Sequence, residues 1–132
     1  MGRDRGRIER ELVACRGGHA TLTLDFFRAI THAMPRNIVL VLATHEGSYV
    51  AGAFNMRSSD TLYGRHWGCL EEFDSLHFEA CYYAGIDYCI AHGMKRFEPG
   101  AQGEHKVSRG FVPTATWSAH WIADERFRIA IA

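Results

Sequence analysis

The spacing of apolar positions changes several times along the chain, and each change marks an element. After Thr23, residues Phe26, Phe27, Ile30, Ala33 and Met34 recur at helical spacing, and Pro35 ends the run. Thr23 suits the N-cap and Asp25 the first turn, where a side-chain oxygen and a negative charge meet unpaired backbone N–H groups. The continuous, β-branched stretch Ile38 to Ala43 predicts a strand buried on both faces. His45-Glu46-Gly47-Ser48 reads as a hairpin turn in which Gly47 supplies a positive φ. Tyr49 to Met56 is the return strand, and Ser58-Ser59-Asp60 a second turn. Thr61 to Trp67 is a third strand, whose alternation puts Leu62, Gly64 and His66 on one face and Tyr63, Arg65 and Trp67 on the other.

Gly68 to Asp74 is a polar loop. Asp74 or Ser75 then caps a long helix to about His92, with Gly93 at the C′ position. That helix is apolar nearly all round and is expected to be covered on most sides. Gly85 within it lowers helix propensity, which points to a neighbour approaching closely. Lys95 to Glu98 is a short strand, and Pro99 to Gly110 is irregular. Phe111 to Ile122 predicts a last long strand, with Trp117, Ala119 and Trp121 alternating against Thr116, Ser118 and His120. Asp124 caps a final helix. Residues 1–21 are Arg-rich and lack a periodic apolar face, so they read as a charged lead-in to a domain over residues 22–132. This order predicts an α/β (α+β) fold with a mixed sheet flanked by helices.

Composition narrows the function classes. The chain has 132 residues, enough for one domain. Lys plus Arg and Asp plus Glu are 15 each, giving zero formal charge. A general nucleic-acid coat or a polybasic membrane binder needs a large positive field instead. The apolar run Ile38 to Ala43 falls far short of the roughly 18 residues that a membrane span needs. The charged start shows no signal peptide, and a cytoplasmic location is expected. Cys15, Cys69, Cys81 and Cys89 form no CxxC pair and are expected to be reduced and mostly buried.

The stretches LYGRHWGC (Leu62 to Cys69), LHFEACYYAGIDYCIAHG (Leu76 to Gly93), KRFEPGAQGEHKVSRGFVP (Lys95 to Pro113) and SAHWI (Ser118 to Ile122) carry a resemblance. They look like bacterial N-acyltransferases labelled peptidoglycan biosynthesis/recognition proteins. That group lies in the GNAT superfamily and is similar to the Fem-type aminoacyl transferases. The resemblance covers roughly residues 22–132 and implies a GNAT-like, mostly antiparallel sheet. It matches the C-terminal half of a Fem-like double-GNAT architecture, with the N-terminal half missing or replaced by a second copy in a homo-oligomer. It implies acyl or aminoacyl transfer to a small-molecule or amino-sugar amine, related to the cell wall. Acetyl-CoA-using members carry an R/Q-x-x-G-x-G/A loop before the helix that follows the fourth strand. Here Gly68-Cys69-Leu70-Glu71-Glu72-Phe73-Asp74 stands in its place, with one glycine and three acids, a poor cradle for pyrophosphate. The donor, acyl-CoA or charged tRNA, therefore stays open.

Acyl transfer to an amine needs a proton acceptor, donors for the developing oxyanion, and groups that position two substrates. Glu79, early in the apolar helix, is one candidate base, because desolvation there would raise its pKa. Glu98 is the other, at the head of the polar, glycine-broken segment Glu98 to Lys106 that follows a strand. His105 joins them as a catalytic candidate, and Gly100 and Gly103 would let backbone N–H groups converge on an anion. Lys106 and Arg109 are spaced to face the same way on a helical turn. With Arg65, His66 and Gln102 they make the candidate substrate-binding set. The segment Glu98 to Arg109 is expected to line an open cleft.

His77 and Cys81, with His66 and Cys69, have metal-ligand types without metal-ligand spacing, so no metal is expected. His120 reads as a hydrogen-bonded structural histidine, and Tyr82, Tyr83, Tyr88, Trp117 and Trp121 as core. A non-catalytic binding module and an inactive fragment that dimerises are the rival readings.

Overall fold

The computed structural model describes residues 22–100, 103–115, 117, 119 and 121–131. The lead-in 1–21, with Cys15, lies outside the described residues, as do Gln102, Thr116, Ser118 and His120. The chain divides into two compact units, one through residue 101 and one from residue 102.

In the first unit Thr23 begins helix α1 (Leu24–Ala33), its Oγ1 accepting the Phe26 N–H at 3.2 Å. α1 sets the buried Phe27 edge-on to Phe54, with ring centroids 5.2 Å apart. Ile30, Ile38, Tyr49 and Met56 pack around that pair. The strands β1 (Ile38–His45), β2 (Ser48–Arg57), β3 (Thr61–Cys69) and β4 (Arg96–Glu98) form one sheet in the order β1-β2-β3-β4. β1, β2 and β3 are an antiparallel meander, and β4 joins β3 in parallel. At the β1–β2 turn Glu46 and Gly47 both have positive φ, 48° and 78°, the pattern of a type I′ turn.

β1 corrects one expectation. Among the described residues it is an edge strand, and Leu40 and Leu42 are 42% and 41% exposed rather than buried on both faces. Leu40 and Leu42 alternate with Ile38 on the α1 face and stay exposed, while Val39, Val41 and Ala43 on the other face are half-buried.

A bulge corrects another. Phe54 pairs with His66 and Asn55 with Gly64, so Arg65 is an extra residue on β3. Beyond it the alternation reverses. His66 turns to the α1 face, 5.3 Å from the Phe27 ring, while Trp67 turns to the other face and meets His77 at 5.4 Å. The uninterrupted period-2 reading of Leu62 to Trp67 fails for this reason.

The predicted long helix is three pieces: α2 (Leu76–Phe78), a π turn (Glu79–Tyr83) and α3 (Ala84–Ala91). Ser75, one of the two expected caps, stands at the N-cap, but in the left-handed conformation, φ 62°, and with no side-chain cap bond; its carbonyl accepts the Phe78 and Glu79 N–H groups. The far end follows the expectation. Gly93 has φ 62°, its N–H reaches the Ile90 carbonyl, and the Met94 N–H reaches that of Cys89, a Schellman closure. The neighbour inferred at Gly85 is Phe97, whose ring would lie 2.6 Å from an added Cβ. The helix is not covered on most sides: Tyr83 is 45% exposed and Ile90 75%. Cys89 is buried, which pushes its thiol pKa up against a smaller opposing pull from Arg57, and Cys69 and Cys81 are half-buried free thiols.

In the second unit a 3₁₀ turn (Glu104–Arg109) precedes irregular chain and α4 (Glu125–Ile131), at whose start Asp124 accepts the Arg126 N–H. The expected strand Phe111 to Ile122 is absent among the described residues, which are irregular there. Without a sheet to lie on, Trp117 and Trp121 are 95% and 79% exposed instead of core.

Candidate functional site

β4 pairs with β3 only through Thr61↔Arg96, Leu62↔Phe97 and Tyr63↔Glu98. From Gly64 onward β3 continues to Cys69, and among the described residues no strand covers that edge. The strands part where Pro99 presses on Gly64: an added Cβ there would lie 3.3 Å from the Pro99 Cα. The Arg65 bulge follows at once. Bulges beside an open edge re-aim side chains and leave backbone N–H groups available to a ligand.

Glu98 is half-buried at this fork. Phe97 packs on Gly85 of the helix, so alternation turns Glu98 to the opposite face, the face of Tyr63. Arg65 is exposed at the bulge. Asn55, 2% exposed, lies beside Gly64 and donates to the Val39 carbonyl at 3.3 Å. Sequence reasoning passed over Asn55, although a polar residue inside the apolar run Val50 to Met56 is a visible signal. His66 is partly buried between Phe27 and Phe54. Burial there, helped by the neighbouring Arg65 charge, holds its pKa below the ordinary imidazole value.

Glu79 sits elsewhere. It lines a groove of about 390 Å3 with Thr44, Val50, Phe73, Asp74 and Tyr83 among its walls. Val50 is the extra residue of a second bulge, since Ala43 pairs with Ala51 and Thr44 with Tyr49. The Leu70 N–H, just past β3, reaches the Val50 carbonyl at 2.7 Å. From Tyr63 to Leu70 is roughly 20 Å of strand, so the groove's sheet wall and Glu98 stand at opposite ends of β3. Glu79 is exposed, not sunk in apolar surroundings as the helix composition suggests, because its position opens onto the groove mouth.

In the second unit Arg109 donates to the His105 carbonyl at 2.8 Å, tying the basic turn together. Gly103 and Gly110 flank it with φ of 104° and 86°. His105 is exposed, and Lys106 partly buried. Among the described residues no three His, Cys, Asp or Glu side chains converge as a metal site. His77 instead packs among Trp67, Phe78 and Tyr82. Nor is any described helix long and apolar enough to cross a membrane.

The profile of the FemAB-like family, described as peptidoglycan biosynthesis/recognition, matches residues 8–132. The chain belongs to the FemAB-like family. Its fold is similar to a crystal structure described as an acetyltransferase of the GNAT family from Xanthomonas campestris pv. campestris. The two share 20% identity, with a TM-score of 0.58 over 90% of this chain and 86% of that one. No curated protein matches.

An acyl-CoA, one of the two donors that the sequence resemblance leaves open, needs a cradle for its pyrophosphate, and the loop before α2 does not supply one. The loop before α2 presents the exposed carboxylates of Glu71, Glu72 and Asp74. Ser75, in a left-handed turn, leads into only three α-helical residues before the π turn begins. A phosphate there would meet like charge in place of a row of helical N–H donors.

Proposed function

We propose that this FemAB-like domain transfers an acyl or aminoacyl group to an amine, with the reaction centred where β3 and β4 part. The observation that carries this reading is the fork itself: pairing stops at Tyr63↔Glu98, and the β3 edge beyond it stays open among the described residues. The donor's carbonyl lies along that edge, where β3 N–H groups past Gly64 hold the oxyanion as it develops. The acceptor nitrogen attacks the carbonyl carbon. A C–N bond forms, the bond to the leaving group breaks with its electron pair going to that group, and the nitrogen's proton passes to the Glu98 carboxylate. Arg65, exposed at the bulge, steers an anionic part of a substrate. In the second unit, Lys106 and Arg109 of the basic turn are the proposed contacts for an anion. His66 supports the fork from the α1 side through its ring contacts. The family's description favours a cell-wall precursor as acceptor.

The test is a donor panel: charged tRNAs and acyl-CoAs, each with amino-sugar and peptide amines, followed by mass spectrometry of the product. The reading expects a new amide from a donor other than a CoA thioester. Turnover with acetyl-CoA as the best donor would overturn the exclusion of CoA. No amide from any donor would overturn the transferase reading.

A further inference from the structure

The groove at α2 holds a chemistry that the fork does not use. Its volume, about 390 Å3, is that of a small-molecule cleft. Val50, Phe73 and Leu76 give it an apolar floor, and Asp74 and Glu79 put two carboxylates on its walls. No Lys or Arg lines it. Among the described residues neither carboxylate is held in an ion pair. Three breaks in regular backbone border the groove: the Val50 bulge, left-handed Ser75 and the π turn that begins at Glu79. A continuous α-helix would shift Glu79 relative to Tyr83 and Leu76, so the π turn sets which side chains face the opening.

We propose that this groove is a second ligand site, for an organic ammonium ion with an apolar stem. An ammonium carries three donors and no acceptor, which suits two carboxylates in a groove where His45, packed near Phe73, is the one basic side chain and neither Lys nor Arg competes. The stem lies over Val50, Phe73 and Leu76, where each buried methylene adds to affinity. A phosphate or carboxylate ligand would meet two like charges. Thr44 and Tyr83 also line the groove and carry hydroxyls that further polar contacts can use. This inference rests on the groove alone and holds whether or not the fork transfers an acyl group.

The probe is n-hexylammonium, titrated into the full chain without any acyl donor and followed by amide NMR shifts. Hexan-1-ol keeps the stem without the charge, and hexanoate reverses the charge. The expected result is saturable hexylammonium binding, with shifts centred on residues 43–45, 73–76 and 79. Hexan-1-ol should bind about tenfold more weakly, the scale of one charge-assisted contact, and hexanoate should give no shift. Glu79→Gln and Asp74→Asn should each weaken hexylammonium about tenfold, and Glu71→Gln, an exposed acid off the groove, should not. If a variant unfolds, salt decides on the unaltered chain: sodium chloride should weaken hexylammonium binding and spare hexan-1-ol. Equal affinity for ammonium and alcohol, shifts away from the groove, or no saturable binding would each overturn the proposal.

Discussion

Glu98 and Glu79 are the same functional group in opposite settings. Glu98 is half-buried on a strand that pairs with β3 for three residues and then leaves it. Glu79 is exposed on a π turn, over a groove at the far end of β3. A base must come within about 3 Å of the proton it takes, so one reacting nitrogen meets one of these carboxylates and not both. In the proposed reaction it meets Glu98, because the strands part beside it, a property of pairing and not of composition.

The sharpest way to break this comparison is Glu98→Gln, which keeps shape and removes the proton acceptor. Once the donor panel yields an active pair, kcat should fall roughly 10²- to 10⁴-fold with KM little changed. Steady-state kinetics would show it, and a kcat loss confined to Glu79→Gln would exchange the two roles. Next in size is the packing that holds β4 in place. Gly85→Val would drive a branched side chain into the Phe97 ring, already 2.6 Å from an added Cβ. We expect a loss of about 3 kcal/mol, the upper range for overpacking, read as a lower urea midpoint. An unchanged midpoint would mean that Phe97 moves freely and that helix and β4 do not fix Glu98 together. A smaller effect is expected at the fork. Gly64→Ala meets Pro99 backbone at 3.3 Å, tight but not impossible. The loss should be about 1 kcal/mol, and transfer should suffer more than stability, because the strain falls where the strands part.

Local signals were legible where they act over a few residues. Thr23 as a cap, Gly47 in a hairpin, Gly93 as a helix stop and Gly85 as a contact point could all be read from the sequence, because each is fixed by backbone sterics or one hydrogen bond. The meander followed from alternation broken by turns. Features set by long-range pairing escaped: β1 at the sheet edge, the Arg65 bulge that turns His66 and Trp67 over, and the π turn. A bulge adds one residue to one strand, and the sequence carries no mark of which residue it is. The candidate site was legible as a set of residue types and not as a place. Glu98 and Arg65 flank the fork, Glu79 lies in the groove, and His105, Lys106 and Arg109 belong to the second unit. The exposed Trp117 and Trp121 show the same limit, since alternation predicts a strand only if a partner edge receives it.

The finest test concerns His66, which separates packing beneath the fork from contact with substrate. Burial between Phe27 and Phe54, with Arg65 adding to it, lowers its pKa on folding. The unfolded chain then binds more protons than the folded one between the lowered value and the ordinary one near 6.5. Stability therefore rises with pH through that window. It is complete above about 6.5 and is lost as the pH falls below it. His66→Asn, which does not titrate there, should remove this part of the slope. Urea midpoints of both proteins across the acid range, without ligand, would show it, and the difference should be small because His66 is only partly buried. If the two profiles run parallel, His66 gains its proton in the fold as easily as in the unfolded chain. Its ring would then be open to solvent, and a substrate contact would become the better account of its place beside Arg65.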